Sequence, residues 1–168
     1  MLAISDHQFR ISHKILRSKK HIAHLESGFE RAAQESCKSN KRGVLNLKPK
    51  LSTITTDGKS LLLAYDQGLE HGPTDFDDKN VDPDYIQEIA VKGKYNGLIF
   101  QKGVAEKYYN CKIPLILKLN GKTNLVKGEP IAAQLCSVKE AIELGAKAVG
   151  YTIYVGSAHE ATMFKDFQ

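Results

Sequence analysis

A carboxylate and a lysine stand in the sequence where they could move protons or form a charged pair. Asp66 follows the apolar run 60–65 and precedes a glycine-containing turn, where its carboxylate could take or give a proton. Spacing alone also allows a turn or helix-capping aspartate there. Lys118 lies within the apolar run 114–120, where a lysine must reach solvent or pair with an acid. It could be a Schiff-base nucleophile, because burial can lower a lysine's pKa, or the electrostatic partner of Asp66.

Other polar residues occur at or near the carboxyl-terminal ends of the apolar runs. In a β/α barrel these ends form the rim that carries catalytic and substrate-binding groups. His71, Gln101, Asn120 and Tyr151 are the candidate substrate-binding residues on this rim. Lys102 and Tyr154 complete the set of polar side chains expected there.

Apolar runs alternate with helical patterns through residues 51–168. The predicted strands lie at 60–65, 98–100, 114–120 and 146–154, and the predicted helices at 83–92, 104–109, 138–144 and 159–167. This order predicts parallel strands joined by helical crossovers, and uninterrupted apolar strands are typical of a sheet covered on both faces. No G-x-G-x-x-G follows the first strand, which weakens a dinucleotide-binding interpretation.

Local signals define where two of these helices begin and end. Pro83 suits the first turn of its helix, because its missing N–H would have no helical partner there. Ser137 and Glu140 have the spacing of a capping box, and Gly145 is placed to stop the helix that follows.

The charge of the chain is divided unequally. Residues 1–50 contain 11 Lys/Arg and 4 Asp/Glu, whereas residues 51–168 contain 13 and 15, which gives +7 and −2. The first segment has helical apolar periodicity, so we predict a basic, helical N-terminal extension. Such a face could meet RNA, an acidic lipid surface or an acidic partner, or form part of a mitochondrial presequence. It lacks interleaved aromatic residues, so no nucleic-acid or membrane partner is expected.

The cysteines and histidines give no metal-binding signature. Cys37, Cys111 and Cys136 form no C-x-x-C pair, which predicts free thiols and a cytoplasmic protein. His21 and His24 share a possible helix face, but no carboxylate or cysteine completes a ligand set, so no metal is expected. No apolar run of 18 residues is present, which excludes a transmembrane helix by sequence.

Several segments in the same order resemble archaeal-type class I fructose-bisphosphate aldolases. They are AYDQGLEHGPTDF at 64–76, FQKGVAEKYY at 100–109, PLILKLNGKT at 114–123, GEP at 128–130 and AVGYTIY at 148–154. The resemblance implies a (β/α)₈ TIM barrel that reversibly cleaves fructose 1,6-bisphosphate to dihydroxyacetone phosphate and glyceraldehyde 3-phosphate. It implies a lysine Schiff base, no metal and no cofactor, with Asp66 as an acid/base and His71 at the site.

The same resemblance implies that part of the machinery is not present in this chain. The family's Schiff-base lysine lies near the end of the sixth strand, and phosphate loops follow strands seven and eight. Residues 51–168 correspond to about the first four β/α units, whereas a complete barrel needs about 250 residues. We therefore expect a partial barrel, an inactive fragment in which Lys118 is at most an electrostatic partner, and homo-oligomers for full-length members.

Three alternatives remain open at this stage. The protein could be a related Schiff-base aldolase acting on another sugar phosphate, or a half-barrel completed by a second chain. It could also be a non-catalytic half-barrel binding module that uses its basic leader. A truncated barrel predicts an open sheet with unusual exposure at positions such as Ile99, Leu117 and Val149.

Overall fold

The computed structural model describes residues 50–125 and 127–168. The predicted basic helical extension at 1–50 therefore lies, apart from Lys50, outside the described residues. The strands are β1 (Leu62–Tyr65), β2 (Gly97–Gln101), β3 (Leu115–Lys118), β4 (Asn120–Gly121), β5 (Ala133–Gln134) and β6 (Ala148–Gly150). The helices are α1 (Gln67–His71), α2 (Pro83–Lys92), α3 (Lys102–Tyr108), α4 (Val138–Glu143) and α5 (Glu160–Phe167).

The main sheet is parallel and has the order β1-β2-β3-β6. Neighbouring strands in this sheet are thus consecutive β/α units, with helical crossovers between them, as the alternating sequence pattern predicts. The predicted partial (β/α)₈ barrel is confirmed for the part of the chain that the structure describes. A short antiparallel pair, β4 with β5, stands beside it.

One face of the sheet, here called the outer face, carries most of the hydrophobic core. Leu98 and Phe100 of β2 lie beside Leu115 and Leu117 of β3, and all four are fully buried. They pack with apolar residues of α2, α3 and α4, among them Ile86, Ala90, Ala105 and Ala141. Burying each large side chain contributes roughly 1.5–3 kcal/mol, so this layer holds the crossover helices on the sheet.

The opposite, inner face is less completely covered. Ile99 is half-buried, and Leu62 of the edge strand is 38% exposed. Val149 pairs with Leu117 and so lies on the outer face, but it belongs to the edge strand β6 and is 43% exposed, as expected for an open sheet. The predicted exposure of Leu117 is wrong. Leu117 pairs with Phe100 and therefore points to the outer face, where the helices cover it. An open sheet leaves its inner face and its edges exposed, not every strand position.

Two predicted strands end earlier than their apolar runs. The predicted strand at 114–120 stops at Lys118, because Leu119 accepts hydrogen bonds from Leu135 and Cys136 and the chain then pairs with β5. The run 146–154 forms only the three-residue strand β6. Apolar composition marks buried chain, but the strand boundary depends on which backbone partner is available.

The predicted helix signals are present where the sequence placed them. Pro83 is the first residue of α2, and Asp82 before it accepts a hydrogen bond from the Asp84 amide at 3.0 Å. Ser137 and Glu140 form a complete capping box at the start of α4. Gly145, two residues beyond α4, has a φ of +80°, which costs glycine little.

The cysteines differ in state. Cys136 is a buried free thiol whose pKa is raised by burial. Cys111 is disulfide-bonded, so the prediction of free thiols is wrong at this position. Separation along the chain does not report proximity in space, which is why the spacing of the cysteines was a poor guide.

An ion pair joins the start of α3 to the capping box of α4. Lys102 lies 2.5 Å from a carboxylate oxygen of Glu140 and 3.8 Å from Glu106. Hydrogen bonds from Lys102, then from the amide and hydroxyl of Ser137, lower the pKa of Glu140 to about 2. One carboxylate therefore caps its own helix and ties it to the preceding crossover.

We predict that Glu140→Gln makes the protein less sensitive to acid. Because the pKa of Glu140 falls from 4.5 to about 2 on folding, its stabilising contribution is complete above pH 4.5 and is lost as the pH falls toward 2. Urea denaturation at a series of acidic pH values should show a smaller decline in unfolding free energy for the variant. Glu143→Gln, an exposed carboxylate of the same helix, is the matched control. An unchanged decline in Glu140→Gln would contradict the assignment.

Candidate active site

The strand register brings Asp66, Gln101 and Lys118 to the same end of the sheet. Gln101 pairs directly with Lys118, and Asp66 follows Tyr65, whose partner on β2 is Phe100. Side chains alternate between faces along each strand, so these three polar groups continue the inner face. The carboxyl-terminal rim predicted from the sequence is thus present across β1, β2 and β3.

Asp66 and Lys118 form an ion pair on this rim. The Lys118 ammonium donates to a carboxylate oxygen of Asp66 at 2.7 Å. The side chains retain only 20% and 15% of their exposure, so the pair is largely shielded from water. Each charge satisfies the other where an unpaired charge would be costly. The contact fixes the position of the Asp66 carboxylate at the rim.

A second carboxylate–lysine pair lies in the same cleft. Lys122 contacts Glu70 of α1 at 3.0 Å, and its ammonium lies 5.3 Å from the ring centre of Tyr154. The Tyr154 hydroxyl contacts the two Glu70 oxygens at 3.1 and 3.2 Å. Glu70 follows β1 and Tyr154 follows β6, so this contact links segments from the two edges of the main sheet.

The charges of this second cluster reinforce one another. Burial raises the pKa of Glu70, but hydrogen bonds from Lys122 and Tyr154 outweigh it, and the pKa lies below its ordinary value. Burial, followed by the negative charge of Glu70, raises the pKa of Tyr154 to about 12. At neutral pH Glu70 is therefore an anion and Tyr154 a neutral hydrogen-bond donor.

Asn120 fixes the segment that carries Tyr154. Its side chain is fully buried, donates to the carbonyl of Thr152 at 2.7 Å and accepts from the Thr152 amide at 2.8 Å. Beyond the end of β6, the side-chain amide of Asn120 thus makes the two backbone hydrogen bonds that a neighbouring strand would otherwise make with Thr152. A buried amide that satisfies both backbone groups holds the loop in one conformation.

A cavity of about 160 Å³ lies between the two ion pairs. Its lining combines the four charged residues with polar and small side chains. The residues are Asp66, Gln67, Leu69, Glu70, His71, Gln101, Lys118, Gly121, Lys122, Ala132, Thr152 and Tyr154. The wall is tight at Gly121, because a Cβ there would lie 2.6 Å from a methyl of Leu69, and the Leu69 side chain would have to shift.

The candidate residues from the sequence divide into two groups. His71 and Gln101 line the cavity with Asp66 and Lys118, and the imidazole of His71 hydrogen-bonds to Asp75. Asn120 and Tyr151 do not contribute to the lining. The hydroxyl of Tyr151 is buried, and its ring packs 5.3 Å from that of Phe167. In the structure Asn120 contacts the backbone of Thr152, and Tyr151 packs against Phe167.

Sequence reasoning missed Glu70 and Lys122 as site residues. A signal was available, since Glu70 follows Asp66 by four residues and Lys122 follows Lys118 by four. This repeated spacing places a second acid and a second base just beyond the first pair. Tyr154 was assigned to the rim by sequence, and it reaches the cavity from the loop after β6.

The described residues form neither a metal-ligand cluster nor a membrane-spanning helix. Across residues 50–125 and 127–168, no group of three His, Cys, Asp or Glu side chains is arranged to hold a metal ion. Within the same residues, no helix has the length and apolar character needed to cross a membrane. The titratable side chains that line the cavity are two carboxylates, two lysines, His71 and Tyr154.

We predict that the Asp66–Lys118 pair behaves as an energetically coupled unit. Lys118→Met should cost roughly 1–3 kcal/mol of unfolding free energy, because it leaves a shielded carboxylate without its partner. Adding Asp66→Asn should recover part of that loss in a double-mutant cycle measured by urea denaturation. Lys92→Met, at an exposed helical pair with Glu88, should cost less than about 1 kcal/mol. Strictly additive effects at Asp66 and Lys118 would show that the pair is not coupled.

Comparison with known proteins agrees with this architecture. Residues 60–168 match a family model described as DeoC/LacD family aldolase. A fructose-bisphosphate aldolase class 1 of Thermoproteus tenax is 57% identical over 111 residues, covering 65% of this chain and 42% of that protein. A Methanocaldococcus jannaschii protein named fructose-bisphosphate aldolase/6-deoxy-5-ketofructose 1-phosphate synthase is 38% identical over 135 residues, covering 71% and 43%.

A solved structure supports the fold. It comes from work on the mechanism of the Schiff base forming fructose-1,6-bisphosphate aldolase, and it superposes with a TM-score of 0.68 at 53% identity. The aligned part covers 70% of this chain and 48% of that one. The chain spans less than half the length of the curated relatives named above. The family model, which matches residues 60–168, and the similarity to the solved structure place this chain in the DeoC/LacD family of aldolases.

Proposed function

We propose that this chain forms the acid–base side of the active site of a class I fructose-bisphosphate aldolase. The reaction is the reversible cleavage of fructose 1,6-bisphosphate to dihydroxyacetone phosphate and glyceraldehyde 3-phosphate through a lysine Schiff base. The observation that carries the proposal is the Asp66–Lys118 pair at the carboxyl ends of parallel strands, in a chain of an aldolase family. A barrel enzyme places its reacting groups at this rim.

Asp66 is assigned the proton transfers. Formation and hydrolysis of a Schiff base, and cleavage of the carbon–carbon bond, each require a proton to be removed and later returned. A positioned carboxylate contributes typically 10²–10⁴-fold to such steps. Lys118 holds the Asp66 carboxylate at 2.7 Å, and Gln101 and His71 line the space where a substrate would lie.

Lys118 is assigned an electrostatic role, not a nucleophilic one. A nucleophilic lysine must direct its amine at the carbonyl carbon, whereas the Nζ atom of Lys118 is directed at the Asp66 carboxylate 2.7 Å away. We therefore assign the Schiff-base lysine to sequence outside this chain. No cofactor is required, since the iminium formed by the lysine is itself the electron sink.

A second candidate is an aldolase acting on another sugar phosphate. It is favoured by the relative from Methanocaldococcus jannaschii, whose name joins a fructose-bisphosphate aldolase to a 6-deoxy-5-ketofructose 1-phosphate synthase. The two candidates share the Schiff-base chemistry. They differ in the residues that bind the part of the substrate farthest from the reacting carbons. Homo-oligomerisation of the full-length protein and a cytoplasmic location both stay predictions. The cytoplasmic location was predicted from free cysteines, and the disulfide at Cys111 weakens that prediction.

A chimera tests the proposed activity directly. Residues 60–168 would replace the matching segment of the Thermoproteus tenax aldolase, and cleavage of fructose 1,6-bisphosphate would be measured beside that of other ketose phosphates. We expect cleavage of fructose 1,6-bisphosphate, and in the chimera Asp66→Asn should lower kcat by about 10²–10⁴-fold. Asp78→Asn, an exposed aspartate outside the cavity, is the matched control. Unchanged turnover in Asp66→Asn would reject the acid–base assignment, and a preference for another ketose phosphate would favour the second candidate.

Borohydride trapping tests the assignment of Lys118. The 168-residue chain would be incubated with dihydroxyacetone phosphate and borohydride and its intact mass measured. We expect no adduct, because the Nζ atom of Lys118 is held in the ion pair with Asp66. The Thermoproteus tenax aldolase serves as the positive control. A trapped adduct that disappears in Lys118→Met would make Lys118 the nucleophile and overturn its electrostatic role.

A further inference from the structure

Lys122 stands between the active-site cavity and a second cavity. The second cavity, of about 600 Å³, lies under the loop between β4 and β5. Gly121 and Lys122 line both cavities, so the two share this wall. Here the second space is called the loop cavity, and its remaining lining consists of Thr123, Asn124, Lys127, Gly128, Glu129, Pro130, Ile131 and Ala133.

The charge balance of the active-site cavity creates a problem for an anionic substrate. A phosphoryl group carries close to two negative charges near neutral pH. Both lysines that line the cavity already hold a carboxylate, Lys118 with Asp66 and Lys122 with Glu70. A phosphoryl group that binds at either lysine therefore lies beside a carboxylate that repels it, unless that carboxylate moves away.

The Glu70–Lys122 pair is the easier one to open. Its contact is longer, 3.0 Å against 2.7 Å, and the Glu70 side chain is 34% exposed whereas that of Asp66 is 20% exposed. A released Glu70 can regain hydration, so its displacement costs less than that of a more shielded carboxylate. Beyond Lys122, the loop cavity offers Thr123, Asn124 and Lys127 against the single acid Glu129.

We propose that Lys122 exchanges Glu70 for a phosphoryl group of the substrate, which then extends into the loop cavity. The inference rests on the proposed function, since it requires a sugar phosphate whose reacting carbons lie beside Asp66. A phosphate is the stronger partner for an ammonium, because it offers more charge and three acceptor oxygens. Glu70 acts as a stand-in anion that keeps Lys122 in place until the substrate arrives.

The exchange also changes the link across the rim. Tyr154 donates to Glu70, so the departure of Glu70 leaves the phenol free to donate to the phosphoryl group. It also releases the contact between α1 and the loop after β6. Substrate binding would therefore be coupled to the position of α1, which carries Gln67 and His71 in the same cavity.

The exchange is tested by isothermal titration calorimetry at low ionic strength, in which the full 168-residue chain is titrated with inorganic phosphate. Lys122→Gln should weaken phosphate binding at least about tenfold, because it removes the anchoring charge. Glu70→Gln should tighten it by about three- to tenfold, because no carboxylate then competes for Lys122. Lys92→Gln, at an exposed ion pair on α2, is the matched control for loss of one charge and should leave binding unchanged.

Two results would overturn the inference: wild-type affinity in Lys122→Gln, or equal or weaker binding in Glu70→Gln. The absence of phosphate binding in both wild-type protein and Glu70→Gln would do the same. The tighter phosphate binding expected for Glu70→Gln cannot arise from misfolding. It therefore shows that a loss of binding in Lys122→Gln is not simply a loss of structure.

The failure of this inference can be told apart from the failure of the proposed function. If the chimera cleaves fructose 1,6-bisphosphate but phosphate binding does not depend on Lys122, only this inference fails. If phosphate binding follows the expected pattern and the chimera cleaves no sugar phosphate, the phosphate site stands and the proposed function fails.

Discussion

The ion pair between Asp66 and Lys118 constrains the arrangement of the whole rim. Two opposite charges that are shielded from water are stable only when they contact each other. Asp66 follows β1 and Lys118 lies in β3, and β2 separates these two strands in the sheet. A shift of one residue in either strand would turn one of these side chains toward the outer face. The register that buries Phe100 beside Leu117 is therefore the register that pairs the charges. Hydrophobic packing and site chemistry specify the same alignment.

The two faces of the sheet divide the work of the fold. The outer face gains stability from Leu98, Leu115 and the helices that cover them. The apolar side chains of the inner face are less buried, and this face ends in polar side chains at the rim. The Glu70–Tyr154 contact then joins segments that follow the two outermost strands, which encloses the cavity from both sides. The active-site cavity lies at the rim of the less completely covered face.

The sequence predicted elements whose signals are local, and it failed where the outcome depends on tertiary partners. Pro83 and the Ser137–Glu140 box set helix starts through their own backbone groups, and both predictions are confirmed. The length of β3 depends on Leu135 and Cys136, which lie far along the chain, so composition could not supply it. Asp66 and Lys118 were found as a pair because a charged residue in an apolar run demands a partner. The distinction between Tyr151 and Tyr154, both in one apolar run, required the turn after β6, where the apolar pattern no longer reports which way a side chain faces.

The side-chain clamp of Asn120 on Thr152 has a consequence for how this loop can vary among related proteins. The first part of the loop after β6 is held by one amide group that matches both backbone groups of Thr152. Its position thus depends little on which side chains follow, such as the exposed Val155. We expect substitutions at the exposed Val155 to leave the phenol in place, whereas position 120 needs a side chain that both donates and accepts. A single buried amide thereby connects the end of β6 to the position of a side chain in the cavity.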